Sequence, residues 1–218
     1  MKRKIGIICI LLGTMLILGA VSIFVFNENE SITAEKFAAG TLPELQDQII
    51  KNRSEEQYPG MGDHNQMTPK EMMAAGNIPE EYQSMEHYIM PEEIINGNAY
   101  IGYLEIPQLN LKLPVMSSWD MKKLKIAPCR YSGATGSGDF VIMAHNYRTH
   151  FRGLSKLTEG SEVYFTDMNG TLWKYRVELI DILPADAVDE MIAGEFDLTL
   201  FTCAPNRVTR VTVRCNLE

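Results

Sequence analysis

Hydrophobic positions divide the chain into three stretches with different periods. Ile5 to Phe26 is apolar and uncharged throughout, preceded by Lys2, Arg3 and Lys4 and closed by Asn27, Glu28 and Glu30. Twenty-two helical residues at ~1.5 Å each cover about 33 Å, enough to cross a hydrocarbon core of ~30 Å. Residues 27–99 carry only a partial stripe, Leu42, Leu45 and Ile49, after the helix-start signal Thr41-Leu42-Pro43. Tyr58-Pro-Gly-Met-Gly62 and Thr68-Pro69 interrupt it, and six methionines fall between Met61 and Met90.

From Tyr100 the period shortens to two. Ile101–Ile106 and Leu111–Val115 alternate, and Phe140-Val-Ile-Met-Ala144 is a short continuous apolar run fit for a buried strand. Glu162–Phe165, Leu172–Leu183, Leu198–Thr202 and Val208–Val213 follow, with Asp167-Met-Asn-Gly170 as a hairpin turn and Asp186–Ala193 as a short helix. Seven or eight strands in ~120 residues predict a closed or sandwiched all-β domain with a few helices. The expected organisation is 1–26 as cytoplasmic tip and membrane anchor, 27–99 as a partly helical tether dispensable for chemistry, and 100–218 as the catalytic domain.

Composition sharpens this division. The 218 residues contain 20 Lys+Arg and 28 Asp+Glu, a net charge of −8, with 45% hydrophobic and 22% charged residues. Residues 27–99 hold 14 acids and 4 bases, while residues 100–218 hold 14 acids and 13 bases. The acidity therefore belongs to the tether. No clustered Lys/Arg surface exists for phosphate neutralisation, so nucleic acid is not an expected partner. Basic residues before the apolar run and acids after it predict a single-pass protein of the cell membrane, amino terminus cytoplasmic and the remainder outside. A cleaved signal peptide is the other reading, against which stand the length of the run and a poor cleavage site at Gly19-Ala-Val-Ser22.

Of four cysteines, Cys9 lies in the apolar run, leaving Cys129, Cys203 and Cys215 in the exported part. Three is odd, and no CxxC pair occurs, so neither a disulfide framework nor a zinc site is indicated. Cys203 ends the run Leu198-Thr-Leu-Phe-Thr202, His145 ends Phe140–Ala144, and Arg210 opens Arg-Val-Thr-Val213. Such a set can serve as nucleophile, base and anion stabiliser. Spacing alone makes this a weak assignment, because a buried Cys is usually a small hydrophobe and a lone His usually structural. Gly133–Gly138 lacks the Lys-Ser/Thr ending of a phosphate loop and reads as a plain loop.

Thr199-Leu-Phe-Thr-Cys203 followed by Arg210 resembles the signature of the sortases of Gram-positive bacteria. Phe140-Val-Ile-Met-Ala-His145-Asn is similar to the family's histidine segment. Ile101–Pro107, Leu113-Pro-Val115 and Phe151-Arg-Gly-Leu154 are similar to its other recurrent segments, so the likeness covers 100–218. The resemblance implies a closed eight-stranded β-barrel and a cysteine transpeptidase. In that reading Cys203 attacks a Leu-Pro-x-Thr-Gly-like sorting signal near the carboxyl terminus of a surface protein and forms a thioester. An amine of a peptidoglycan precursor, or of a pilin, then completes transfer. His145 supplies positive charge to the thiolate and protonates the leaving amine. Arg210 is the expected oxyanion or substrate-backbone donor, in preference to Arg207, with the amide of Ala204 as a candidate second donor. Arg214 shares the alternating face of Arg210 and is expected to support substrate or solvent contacts.

His150 reads as a loop residue, His64 and His87 as solvated tether residues, and Cys129 and Cys215 as buried thiols, with a bridge between them as the alternative. No cofactor or metal is implied, and the calcium stimulation known in some relatives cannot be assigned to residues of this chain. The amino-terminal extension and late helix resemble class B, whereas Leu-Glu-Ile-Pro107 and Ala-Pro-Cys-Arg-Tyr-Ser-Gly133 also resemble housekeeping and D/E-type members. The Asp-Pro-Trp/Phe lid of pilin polymerases is approached only by Ser118-Trp-Asp120. Two rival readings are a papain-like hydrolase, disfavoured because His precedes Cys, and a non-catalytic, anchored peptide-binding β-domain.

Overall fold

The computed structural model describes residues 2–56, 90–204 and 208–218. Tyr58–Gly62, His64, His87 and Arg207 lie outside these residues.

Helix α1 runs without a break over Lys2–Glu56. Its first half holds its large apolar side chains outward, Ile23 and Phe24 each 69% exposed, and it is long and apolar enough to cross a membrane. Its second half packs on the sheet through Ser31, Ala34, Ala38, Thr41, Leu45 and Ile49, spaced three or four apart so that they share one face. The helix signal at Thr41-Leu42-Pro43 thus lies inside a helix that begins far earlier and is continuous with the apolar run. Pro43 lies inside α1 and leaves one intrahelical hydrogen bond unmade, but Thr41, Leu45 and Ile49 on either side are buried and hold the helix on course.

Nine strands follow: β1 (Glu93–Ile95), β2 (Asn98–Ile106), β3 (Leu111–Met116), β4 (Cys129–Ser132), β5 (Phe140–Met143), β6 (Glu162–Asp167), β7 (Leu172–Pro184), β8 (Leu198–Cys203) and β9 (Thr209–Leu217). Their order is β1-β2-β3-β4-β5-β8-β9-β7-β6, and a further pairing of β2 with β6 closes β2–β9 into an eight-stranded barrel. β1 pairs with β2 outside this closure, antiparallel, Glu93 opposite Tyr100. β3–β4 and β5–β8 are the parallel pairs; the remainder are antiparallel.

Gly102 makes the closure possible. β2 shifts register against β3 between Tyr100 and Gly102, and from Gly102 onward it pairs with β6 on its other edge as well. With φ at +143°, a Cβ on Gly102 would lie 2.0 Å from the Thr166 carbonyl oxygen, so only glycine lets the strands approach. At the β6–β7 turn, buried Asp167 replaces missing ladder bonds: its carboxylate accepts from the amides of Asn169 (3.0 Å) and Thr171 (2.9 Å) and from Trp173 Nε1 (3.0 Å).

Apolar side chains pack in three groups. The barrel interior takes Ile101, Leu104, Phe140, Ile142, Phe165, Tyr175, Leu198, Leu200, Val211, Val213 and Cys215. Leu45 and Ile49 of α1 pack with Tyr100, Met116 and Cys129 in a second group. The third lies on the barrel's outer face, where Val141 and Phe201 meet Met191 of the short helix α2 (Val188–Met191). Cys129 and Cys215 are thus buried free thiols in separate groups and do not pair.

Arg214 is also on the outer face, but not where substrate or solvent contacts were expected. It is 6% exposed, and its guanidinium donates to the carbonyls of Met191 (3.2 Å) and Glu190 (2.6 Å) and to Thr199 Oγ1 (3.0 Å). Asp181 lies at 3.9 Å. These bonds satisfy the orphan carbonyls at the end of α2 and fasten it to the barrel.

Candidate active site

The three expected residues lie on or just past the ends of the neighbouring strands β5, β8 and β9. On β5, Phe140 and Ile142 point into the barrel and Val141 outward; on β8, Leu198 and Leu200 point inward and Phe201 outward. Two residues beyond an outward Met143 comes His145, and two beyond Phe201 comes Cys203. β5 and β8 run parallel with Met143 opposite Phe201, so His145 and Cys203 each follow that last pair by two residues. The pairing persists past the ladder: the Ala144 amide donates to the Phe201 carbonyl (3.2 Å), and Thr202 Oγ1 donates to the Ala144 carbonyl (2.8 Å). On the other side, Cys203 stands opposite Arg210 in the antiparallel β8–β9 pair. Cys203 thus ends β8 opposite Arg210 on β9, with His145 two residues past the end of neighbouring β5.

Each group is positioned by different means. Cys203 is half-buried at the mouth of the outer face, with a free thiol. His145 is followed by a tight loop in which the His150 and Arg152 amides donate to the Tyr147 carbonyl (3.1 and 3.2 Å) and the Phe151 amide returns to the His145 carbonyl (3.3 Å). The His145 ring lies 4.9 Å from that of Tyr147, and its Nε2 is buried with no hydrogen-bond partner among the described residues. Burial lowers the pKa of His145, while the charge of Glu30 acts to raise it and that of Lys125 to lower it. Arg210 Nη1 donates to the Thr209 carbonyl at 3.3 Å, a weak bond that leaves other donors of the fork available.

The backbone amide of Ala204 does not fit its expected role as a second oxyanion donor. It donates to the Thr209 carbonyl at 2.9 Å, closing the β8–β9 connection. An anion formed at Cys203 thus has Arg210 as its facing charged donor among the described residues.

His150 lies in the loop, as expected, but is fully buried beside Tyr147, ring centroids 5.4 Å apart. Its pKa is pushed down to about 4, chiefly by burial and then by the charge of His145. The unfolded chain takes up a proton below ~6.5, whereas the folded chain does so only near 4. Stability contributed at neutral pH is therefore lost as pH falls through this window, by about 3 kcal/mol. Thermal unfolding from pH 7 to 4 is expected to show this drop, and His150→Leu is expected to flatten it; an equal drop in the variant would assign the sensitivity elsewhere.

The outer face leading to Cys203 is apolar and aromatic. Phe201 meets Tyr131 edge to face at 5.3 Å, and Tyr131 stacks on Trp119 at 5.8 Å. Leu183, Met143 and Val141 complete it.

Residues 104–218, more than half of the chain, match the family model described as Sortase domain. The chain belongs to the sortase family. No curated protein sequence matches it. Among solved structures, sortase C from Clostridium perfringens SM101 aligns with a TM-score of 0.51 at 22% identity, over 83% of this chain and 97% of that one. A Clostridium perfringens sortase D5 transpeptidase aligns with a TM-score of 0.51 at 20% identity, over 68% and 94%. Sortase C-1 from Streptococcus pneumoniae gives 0.50 at 24%, over 64% and 77%. These likenesses bear on the fold, and the eight-stranded closure of this sortase agrees with the barrel expected for the family.

Proposed function

We propose that this sortase is a membrane-anchored cysteine transpeptidase that cleaves a Leu-Pro-x-Thr-Gly-like sorting signal and transfers the acyl part to an amine of a peptidoglycan precursor. The observation that carries the reading is Cys203 at the end of β8 opposite Arg210 on β9, with His145 just past the end of adjacent β5. Cys203 Sγ, as thiolate, attacks the threonine carbonyl carbon, and Arg210 stabilises the resulting oxyanion. Collapse breaks the Thr–Gly C–N bond, with His145 protonating the departing amine, and leaves a thioester. The incoming amine adds to the thioester, loses its proton to His145 and expels the thiolate. Atoms balance without a cofactor.

Exposed Trp119, stacked on half-buried Tyr131 and near half-buried Leu183, supports a peptide whose residues before the scissile bond are apolar. The apolar run from residue 5 to 26 anchors the enzyme, amino terminus cytoplasmic, with the barrel outside. The full-length protein, incubated with a library of sorting-signal peptides, is expected to accumulate an acyl-enzyme mass on Cys203. A defined glycine or diamino-acid acceptor is expected to convert it to ligated product. Peptide binding with no acyl-enzyme and no product would replace the enzyme with a peptide-binding domain.

A further inference from the structure

One helical turn past the apolar run, α1 meets the loop that carries His145. Three consecutive loop residues each engage it. Tyr147 OH donates to Glu30 Oε2 at 2.9 Å, Arg148 Nη2 lies 3.3 Å from Glu28 Oε1, and Thr149 Oγ1 donates to the Ser31 carbonyl at 3.1 Å and lies 3.2 Å from its hydroxyl. Lys125, from the β3–β4 connection, holds the other carboxylate oxygen of Glu30 at 2.8 Å. Ser31 is 1% exposed, so this is a closed joint rather than a chance surface contact.

Tyr147 is the link. Its hydroxyl is fixed by Glu30, and its ring lies between His145 at 4.9 Å and His150 at 5.4 Å, tilted 35° to the former. Exposed ion pairs contribute little to stability, ~0–1 kcal/mol, which is too little to explain a buried serine and three successive contacts on one turn. The joint instead fixes an aromatic ring against an imidazole.

We propose that Glu30, acting through Tyr147, is a positioning residue for His145, so that the first turn of the anchor helix outside the apolar run is a working part of the active site. The proposal rests on the transpeptidase reading for its effect on turnover, though not for its effect on the imidazole and thiol. The charged and titratable groups that bear on His145 are Glu30 on α1, Lys125 on the β3–β4 connection, and Tyr147 and His150 in its own loop. Of the two charges that bear on the imidazole, Glu30 favours its protonated form and Lys125 opposes it.

The test uses the full chain in lipid nanodiscs, with Glu30→Gln, Tyr147→Phe, the double variant and Glu30→Asp. Glu30→Gln keeps an acceptor for Tyr147 and isolates the charge. It is expected to lower kcat about three- to tenfold with KM unchanged, and to move the pH limb reporting His145 downward. Tyr147→Phe is expected to act in the same direction, the double variant to lose no more than the worse single one, and Glu30→Asp to restore part of the loss. Alkylation of Cys203 by iodoacetamide against pH needs no peptide substrate. Its profile is expected to shift with Glu30→Gln even if no sorting-signal peptide is turned over, an outcome that would reject the function while keeping the positioning role. Unchanged kcat and an unchanged alkylation profile in both Glu30→Gln and Tyr147→Phe would overturn the proposal, as would losses that multiply in the double variant.

Discussion

Cys203→Ala is expected to abolish acyl-enzyme formation and ligation while the protein unfolds at nearly the same temperature. Cys203 ends β8 on the outer face, and its thiol gives no contact to the barrel interior, which Leu198 and Leu200 fill from the same strand. Removing a half-exposed sulfur at such a position costs about 1 kcal/mol or less, against total loss of a nucleophile. The other thiols of the barrel domain cannot replace it. Cys129 is buried, its pKa pushed up to about 12 by desolvation, and Cys215, in the barrel interior, is pushed up further still by the same cause. Only a thiolate attacks, so both are inert near neutral pH. Mass spectrometry of wild type and variant after exposure to peptide decides the matter. A residual acyl adduct in the alanine variant would remove Cys203 from the reaction.

The barrel was legible in the sequence because its strands obey a period of two and end at residues that break it. The strand pairing sets Cys203 opposite Arg210, and side-chain parity along β9 puts Arg214 on the face of Arg210. The same parity misled at Arg214. It does share the face of Arg210, but α2 covers that part of the face, and the charge is spent on helix-end carbonyls. No pattern within β9 could reveal a cover contributed by residues 188–191.

The long helix was harder to see. Its packed face is built from Ser31, Ala34, Ala38 and Thr41, small residues that allow close approach yet carry no hydrophobic signal. Strand β1, three residues long, is too short to show a period. The acidic excess of residues 27–99 was assigned to a tether, whereas Glu28, Glu30 and Glu92 meet Arg148, Lys125 and Arg130 in ion pairs. Glu30 and Tyr147 stand more than a hundred residues apart, a separation over which no local pattern operates. Ala204 failed as an oxyanion donor for a related reason, because the carbonyl that claims its amide belongs to the next strand.

With the Ala204 amide engaged, the demand on Arg210 grows. Arg210→Ala is expected to lower kcat/KM by at least ~10², the usual cost of deleting one oxyanion donor. Its guanidinium stands directly across from Cys203, outside the apolar interior, so the loss is catalytic rather than structural. Arg210→Lys keeps the charge but not the planar fork, and is expected to recover only part of the rate. Because arginine stays protonated throughout the working range, the pH profile of Arg210→Ala should fall without moving sideways. Glu30→Gln should shift it, so the two variants separate anion stabilisation from imidazole positioning. Arg207→Ala is expected to lose little. Steady-state rates over pH 5–9 for the two arginine variants provide the comparison. A larger loss at Arg207 than at Arg210 would transfer the oxyanion role to the loop that joins β8 to β9.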